Sequence, residues 1–292
     1  MDSPFIISQG ADGGIAHEDE VTSNDLLEFF FTNAPWINRD TTVDRVIAGD
    51  GAKPIRKVLV AWMPSLAVVE HAIKGGYELL LTHEPTYYDH FDYRTNPEAL
   101  QKIPIAVHKK KLIDEAGLVI IRNHDGWDLF PEVGITYSWA RFLGFEDPPV
   151  QISSNRYMHR YDIAPVSLDE FAQRIAARCA KGGEPAIQVY GRGDLIISKV
   201  GIGTGCATNP ATFQSMGCDV SIVSDDGTSY WNQLQRAADE GHPFIRVHHG
   251  TSEVSGIESL ARYVHKHFPT LLIDFLPQPP IYRTMIASGV IG

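Results

Sequence analysis

The chain has 292 residues, which at roughly 150 residues per domain predicts two domains. Its 43% hydrophobic and 21% charged content is that of an ordinary globular protein and excludes a disordered or collagen-like chain. Thirty-six acidic against 25 basic residues leave a formal charge of -11, which repels phosphate backbones and anionic lipid and so argues against nucleic acid or a membrane surface as partner.

The first residues, MDSPFIISQGADGG, show no sustained period and no basic stretch leading into an apolar one. They read as an N-terminal arm over 1–21, not as a secretory signal. Ser23, Asn24 and Asp25 are placed to cap a helix with Leu26, Leu27, Phe29, Phe30 and Phe31 on its apolar face, ending before Pro35. From Lys57 the pattern alternates. VLVAW reads as a strand, SLAVVEHAIKGG as a helix capped by Ser65 and closed at Gly75, and YELLLT as the next strand. A loop through Tyr87, Tyr88 and Tyr93 leads to a helix beginning near Ala99 or Pro104 and stopped by Gly117, followed by the strand LVIIRN. Alternating strands and helices imply an α/β fold with parallel strands covered by helices.

Pro148 and Pro149 break the pattern and mark a boundary. Beyond them come the strand YMHRYDI, a Ser167-capped helix LDEFAQRIAARCA, strands AIQVYG and ISKVGIG, and a helix from Ala211 to Met216. The strand DVSIVS, a helix from Tyr230 to Glu240, the strand PFIRVH and an amphipathic helix from Ser252 to Phe268 follow. The expected division is a first α/β domain over 22–150, completed by 238–292, and a smaller second α/β domain over 151–237. No apolar run reaches the roughly 18 residues of a membrane span, so the expectation is a soluble, cytoplasmic protein.

Three of these strands run into loops that open with histidine and carboxylate. They lead to His83-Glu84-Pro85, to His124-Asp125-Gly126-Trp127-Asp128, and to His248-His249-Gly250-Thr251-Ser252-Glu253. Ligands of parallel sheets gather outside the carboxyl ends of the strands, so such ends can assemble one mixed imidazole and carboxylate cage. With only Cys179, Cys206 and Cys218 and no C-x-x-C spacing, neither a disulfide framework nor a thiolate zinc knuckle is indicated. Nitrogen and oxygen donors suit two divalent ions, with zinc, manganese, iron or nickel all compatible, and hydrolysis is the reaction class that a dinuclear centre serves.

At these residues the sequence resembles the NGG-one-interacting factor three-like family, whose members are often labelled GTP cyclohydrolase 1 type 2 homologues. KVLVAWMPSLAVVEHAIKGGYELLLTHEP is similar to the family's strand, helix and strand leading to a T-H-H-P motif. NHDGWDLFPEVGITYSWARFLGF resembles its A-H-T-N-L-D segment, and HHGTSE its G-H-x-x-x-E ending. The helix SLDEFAQRIAAR, the turn VGIGTGC and the segment GCDVSIVSDD fall in order between them, so the resemblance runs from about Val43 to Phe268. It implies two α/β lobes with mixed, largely parallel sheets, a dinuclear metal site in the crevice between the lobes, and a toroidal homohexamer. It places metal ligands on His83, Glu84, Asp128, His249 and Glu253, with His124 beside them. A metal-dependent hydrolase acting on a small phosphorylated or nucleotide-like substrate is the implied function, with Glu84 and Glu253 at the chemistry. A non-catalytic metal-binding scaffold or regulatory interaction protein is the alternative. Two positions depart from the family: Glu84 stands where it has a second histidine, and Tyr230-Trp231 where it has Y-H.

Each of these residues also has a structural reading. His83 and Glu84 are placed at a strand-ending turn that Pro85 stops, Asp128 to cap a loop, His124 to orient Asp128, and Glu253 to face the positive end of a helix dipole. His248 alternates with His249 and is expected to point elsewhere, while His90 either reaches the site or decorates a loop. His108, His265 and His267 read as solvated helix positions. The run Gly201-Ile202-Gly203-Thr204-Gly205 reads as a tight turn in preference to an anion cradle, and Cys206 as a small buried residue in preference to a nucleophile.

Overall fold

The computed structural model describes residues 5–6 and 20–285, the first pair by backbone alone. Most of the expected arm over 1–21 lies outside the described residues. Within it Phe5–Ile6 (β1) forms a short antiparallel strand against Leu272–Leu276 (β12).

The chain divides into two compact units, Met1–Gly134 with Ile257–Gln278, and Ile135–Gly256 with Pro279–Gly292. The first holds Ser23–Asn33 (α1), Arg45–Ala48 (β2), Lys57–Ala61 (β3), Leu66–Lys74 (α2) and Leu79–Thr82 (β4). Pro97–Leu100 (α3), Pro104–Ala116 (α4), Val119–Arg122 (β5) and the single turn Asp125–Asp128 (α5) follow. Its six strands run in the order β1-β12-β3-β4-β5-β2, the central four parallel and the two edges antiparallel. Every residue of β4 and β5 is buried, which is why Leu79–Leu81 and Val119–Ile121 are apolar runs instead of alternating ones. Leu59, Leu80 and Ile120 pack under Val68, Val69 and Ile113 of the covering helices. Trp127, Phe130 and Tyr263 form an aromatic cluster elsewhere in the same unit.

The second unit contains Ile135–Leu143 (α6), Gln151–Ile152 (β6), Met158–Ser167 (β7), Leu168–Lys181 (α7), Gln188–Tyr190 (β8) and Ile196–Gly203 (β9). Pro210–Ser215 (α8), Val220–Ser224 (β10), Gln235–Asp239 (α9) and Phe244–Val247 (β11) complete its core. Its strand order is β6-β7-β9-β10-β11-β8, and β9, β10 and β11 are mutually parallel. The helix His249–His267 (α10) begins in this unit and ends in the first. Each unit is thus an α/β layer with a mixed sheet, as the alternation of strand and helix predicts.

Helix ends depart from the sequence reading where the cap is not the expected residue. Thr22, not Ser23, caps α1, its hydroxyl accepting the Asp25 N–H while Asp25 accepts back from Thr22. Of the glycine run, Gly205 stands in a turn while the rest is mainly strand. Gly201 and Gly203 lie within β9, and a Cβ on Gly201 would stand 2.3 Å from the Phe213 ring, so the glycines make room for a buried aromatic. Among the described residues no helix is long and apolar enough to cross a membrane.

Candidate metal centre

In the first unit, β4 and β5 lie side by side and pair Thr82 with Arg122 at their carboxyl ends. The residues that follow, His83-Glu84 and Asn123-His124, are therefore delivered to neighbouring positions. His83 Nδ1 donates to the Asn123 carbonyl at 3.1 Å, which fixes the tautomer and leaves Nε2 as a lone pair. That nitrogen lies 3.4 Å from Asp128 Oδ1. The His83 and His124 rings stack at 4.4 Å, and His124 Nδ1 sits 3.0 Å from Asp125 Oδ1 and 3.3 Å from Asp128 Oδ2. His124 and Asp128 reach each other because the α5 turn places them four residues apart on one face.

Donor atoms of His83, Glu84 and His124 lie within 4.8 Å of one another, a spacing that admits a metal ion. Burial acts to lower the His124 pKa, but Asp128, Asp125 and Glu84 outweigh it, and the net shift is upward. Asp125 is held well below the usual carboxylate range because the hydrogen bonds from His124 and Thr42 overcome the cost of burial.

Supporting groups invisible in the motifs set this geometry. Asp44, buried beside β2, accepts the backbone N–H groups of His124, Asp125 and Gly126 at 2.7, 2.9 and 2.8 Å. These are amides at the start of the α5 turn, so Asp44 caps that turn from a distant segment. Arg122, fully buried, donates through Nε to the His83 carbonyl at 2.8 Å and through Nη1 to the His90 carbonyl, with Nη2 4.0 Å from Glu84 Oε2. The His90 ring, on an exposed residue, stands edge-on to His124 at 5.8 Å.

The second unit repeats the device. His249 opens α10, separated from the end of β11 by one residue, three residues before the expected start at Ser252. Its Nδ1 faces Asp226 at 2.8 Å and its Nε2 faces Glu253 Oε1 at 2.9 Å. Asp226 is buried enough to raise its pKa, yet its hydrogen bond and charge interaction with His249 make the net shift downward. Gly205 lies against this pair with φ +55°, and a Cβ there would come 2.6 Å from Glu253 Oε1 and 3.1 Å from His249 Nε2. Glycine is the residue that fits.

His248 turns away, its N–H donating to Glu184 at 2.9 Å and its ring meeting Tyr282 edge-on. His108 and His267 are exposed. Tyr230 and Trp231 are exposed as well, on a π-helical turn. Cys206 corrects the sequence reading: it is the exposed cysteine, whereas Cys179 and Cys218 are buried. It sits on the short 3-10 turn Gly205–Ala207, beside Asp226 and His249. Asp44, Asp226 and Arg122 are residues that sequence reasoning does not single out. A carboxylate or guanidinium on a remote segment carries no local spacing that marks its partner.

Residues 35–279 match the family Duf34/NIF3 (NGG1p interacting factor 3), and the chain belongs to that family. It is 25% identical over 224 residues to a GTP cyclohydrolase 1 type 2 homolog of Deinococcus radiodurans, covering 75% of this chain and 79% of that one. A protein of the same description from Pseudomonas aeruginosa is 25% identical over 235 residues, covering 79% and 87%. Among solved structures, the hypothetical protein SA1388 of Staphylococcus aureus superposes with a TM-score of 0.73 at 16% identity, covering 92% of this chain and all of that one. Reduced HcgD from Methanocaldococcus jannaschii superposes with a TM-score of 0.63 at 18% identity, covering 87% and 96%. The structural likenesses establish a shared fold.

Proposed function

We propose that the chain binds two divalent metal ions through His83, Glu84, His124 and Asp128 of the first unit and His249 and Glu253 of the second, and that it hydrolyses a small phosphorylated or nucleotide-like substrate. The observation that carries this reading is the gathering of His83, Glu84 and His124 donor atoms within 4.8 Å at adjacent strand ends, where ligands of parallel sheets collect. The donor set fits a divalent ion chemically: imidazole and carboxylate, with His83 held in the tautomer that leaves Nε2 available. Divalent ions held there supply Lewis-acid polarisation and activation of water for hydrolysis. The substrate class rests on the relatives' description as GTP cyclohydrolase 1 type 2 homologs. Self-association as a homohexamer is part of the same proposal and rests on the family resemblance.

Glu84 is the residue that distinguishes the chemistry of this chain. As a ligand it contributes a hard oxygen; as a base it accepts a proton at a carboxylate that Arg122 keeps close to the strand end. Glu84→His separates the two roles. Retained metal with a preference moved from manganese toward zinc marks a ligand, and unchanged metal content with lost hydrolysis marks a base.

A non-catalytic scaffold is the second reading, favoured by how little solvent reaches Glu84 and Asp128, at 8% and 7% exposure. Screening phosphoesters and nucleotides with the metal-restored protein decides. Turnover that vanishes on chelation supports the hydrolase, and tight metal binding with no turnover across the panel supports the scaffold.

A further inference from the structure

We infer that Cys206, Asp226 and His249 form a thiolate-containing metal site in the second unit, one that takes a borderline-soft divalent ion such as zinc. The three parallel strands β9, β10 and β11 are neighbours, and each is followed by one of these residues. One donor atom from each, sulfur, carboxylate oxygen and ring nitrogen, lies within 4.8 Å of the other two.

The turns that carry them are tied together. The Ser224 hydroxyl donates to the Gly205 carbonyl at 2.6 Å and accepts the Gly227 N–H at 3.1 Å, so one side chain bridges the Cys206 turn to the Asp226 turn. Gly227 is required at that contact, since a Cβ would fall 2.1 Å from the Gly205 oxygen. Asp225 Oδ1 accepts the His249 N–H at 2.9 Å, pinning the third turn to the second. The turns that carry the donors are thereby fixed by two buried hydrogen bonds and one part-buried one.

Sulfur, nitrogen and oxygen in one set suit zinc, and the thiol loses its proton to the solvent when the ion binds. His249 belongs also to the proposed function, and this inference shares that imidazole with it. A neutral imidazole has one lone pair, so His249 serves either this ion or one beside Glu253 at a given moment. Cys206 therefore offers a second seat for an ion that His249 holds.

The test uses the intact, chelator-stripped protein and an aromatic disulfide thiol reagent under native conditions. With Cys179 and Cys218 buried, Cys206 is the thiol that reacts. One equivalent of zinc is expected to slow its modification at least tenfold. Cobalt is expected to give a near-ultraviolet thiolate charge-transfer band that Cys206→Ser abolishes and Glu253→Gln retains. Asp226→Asn is expected to weaken the zinc protection about tenfold. An unchanged rate of modification when zinc is bound, or a cobalt spectrum identical in wild type and Cys206→Ser, overturns the assignment. A protein that takes up metal through the first unit but leaves Cys206 unprotected refutes this site while leaving the proposed function standing. An Asp128→Ala protein that binds as much metal as wild type, with Cys206 still protected by zinc, does the reverse.

Discussion

Asp44 Oδ1 accepts the backbone N–H of His124 at 2.7 Å, although the two residues are 80 positions apart. The same carboxylate takes the next two amides of the turn, so one buried side chain holds the start of the His124 to Asp128 span. Gly126 is needed beneath it, because a Cβ there would approach Asp44 Oδ2 to 2.9 Å. Asp44→Asn replaces one accepting oxygen by an NH2 group that faces amide donors. Groups that orient metal ligands typically change affinity about 10- to 100-fold when lost. The expected outcome is a loss of that size in the first unit's metal affinity, read by competition against a chelator. An affinity equal to wild type would remove Asp44 from the account.

Gly205 and Gly76 have nearly the same backbone, with φ of +55° and +67°, but a Cβ on Gly76 meets nothing within 4 Å. Alanine at either position carries the left-handed backbone penalty of about 1 kcal/mol. Only Gly205→Ala also pushes a methyl group into His249 and Glu253. Both variants are expected to melt a few degrees lower than wild type, while Gly205→Ala alone loses metal from the second unit. Equal metal binding in the two variants would show that the close approach at Gly205 is unimportant.

His159 gives the pH dependence a sign. It is buried against Tyr137, and burial pushes its pKa down to about 4 from 6.5. The unfolded chain takes up a proton below pH 6.5 that the folded chain refuses until about pH 4. Its contribution to stability is therefore complete above pH 6.5 and falls away as the pH drops toward 4, by up to roughly 3 kcal/mol. Urea denaturation of wild type and His159→Gln at several pH values checks this. The variant is expected to lose less stability between pH 6.5 and 4, and parallel curves would contradict it.

What the sequence revealed and what it hid divide along physical lines. His83, Glu84 and His124 were legible because apolar runs such as Leu79–Thr82 mark a buried strand, and the residue after it must emerge at the sheet's end. The start of α10 was misplaced because His249 has no capping residue before it in sequence. Asp225, from the turn after β10, accepts its amide instead, as Asp44 does for α5. The strands β2 and β12 carry little local signal, being short runs paired with partners far along the chain. Cys206 reads as a buried residue in sequence because cysteine usually is one. Only the pairing of β9 with β10 shows that its turn stands beside Asp226.

The central claim is that the histidine and carboxylate groups at the strand ends hold divalent metal. Elemental analysis of the protein purified without added metal tests it most directly, with Asp128→Ala, Glu253→Ala and His108→Ala measured alongside. About two divalent ions per chain are expected in wild type and in His108→Ala, whose side chain is exposed, and a marked loss in the other two variants. A wild-type protein free of metal, or equal metal content in all four proteins, would contradict it.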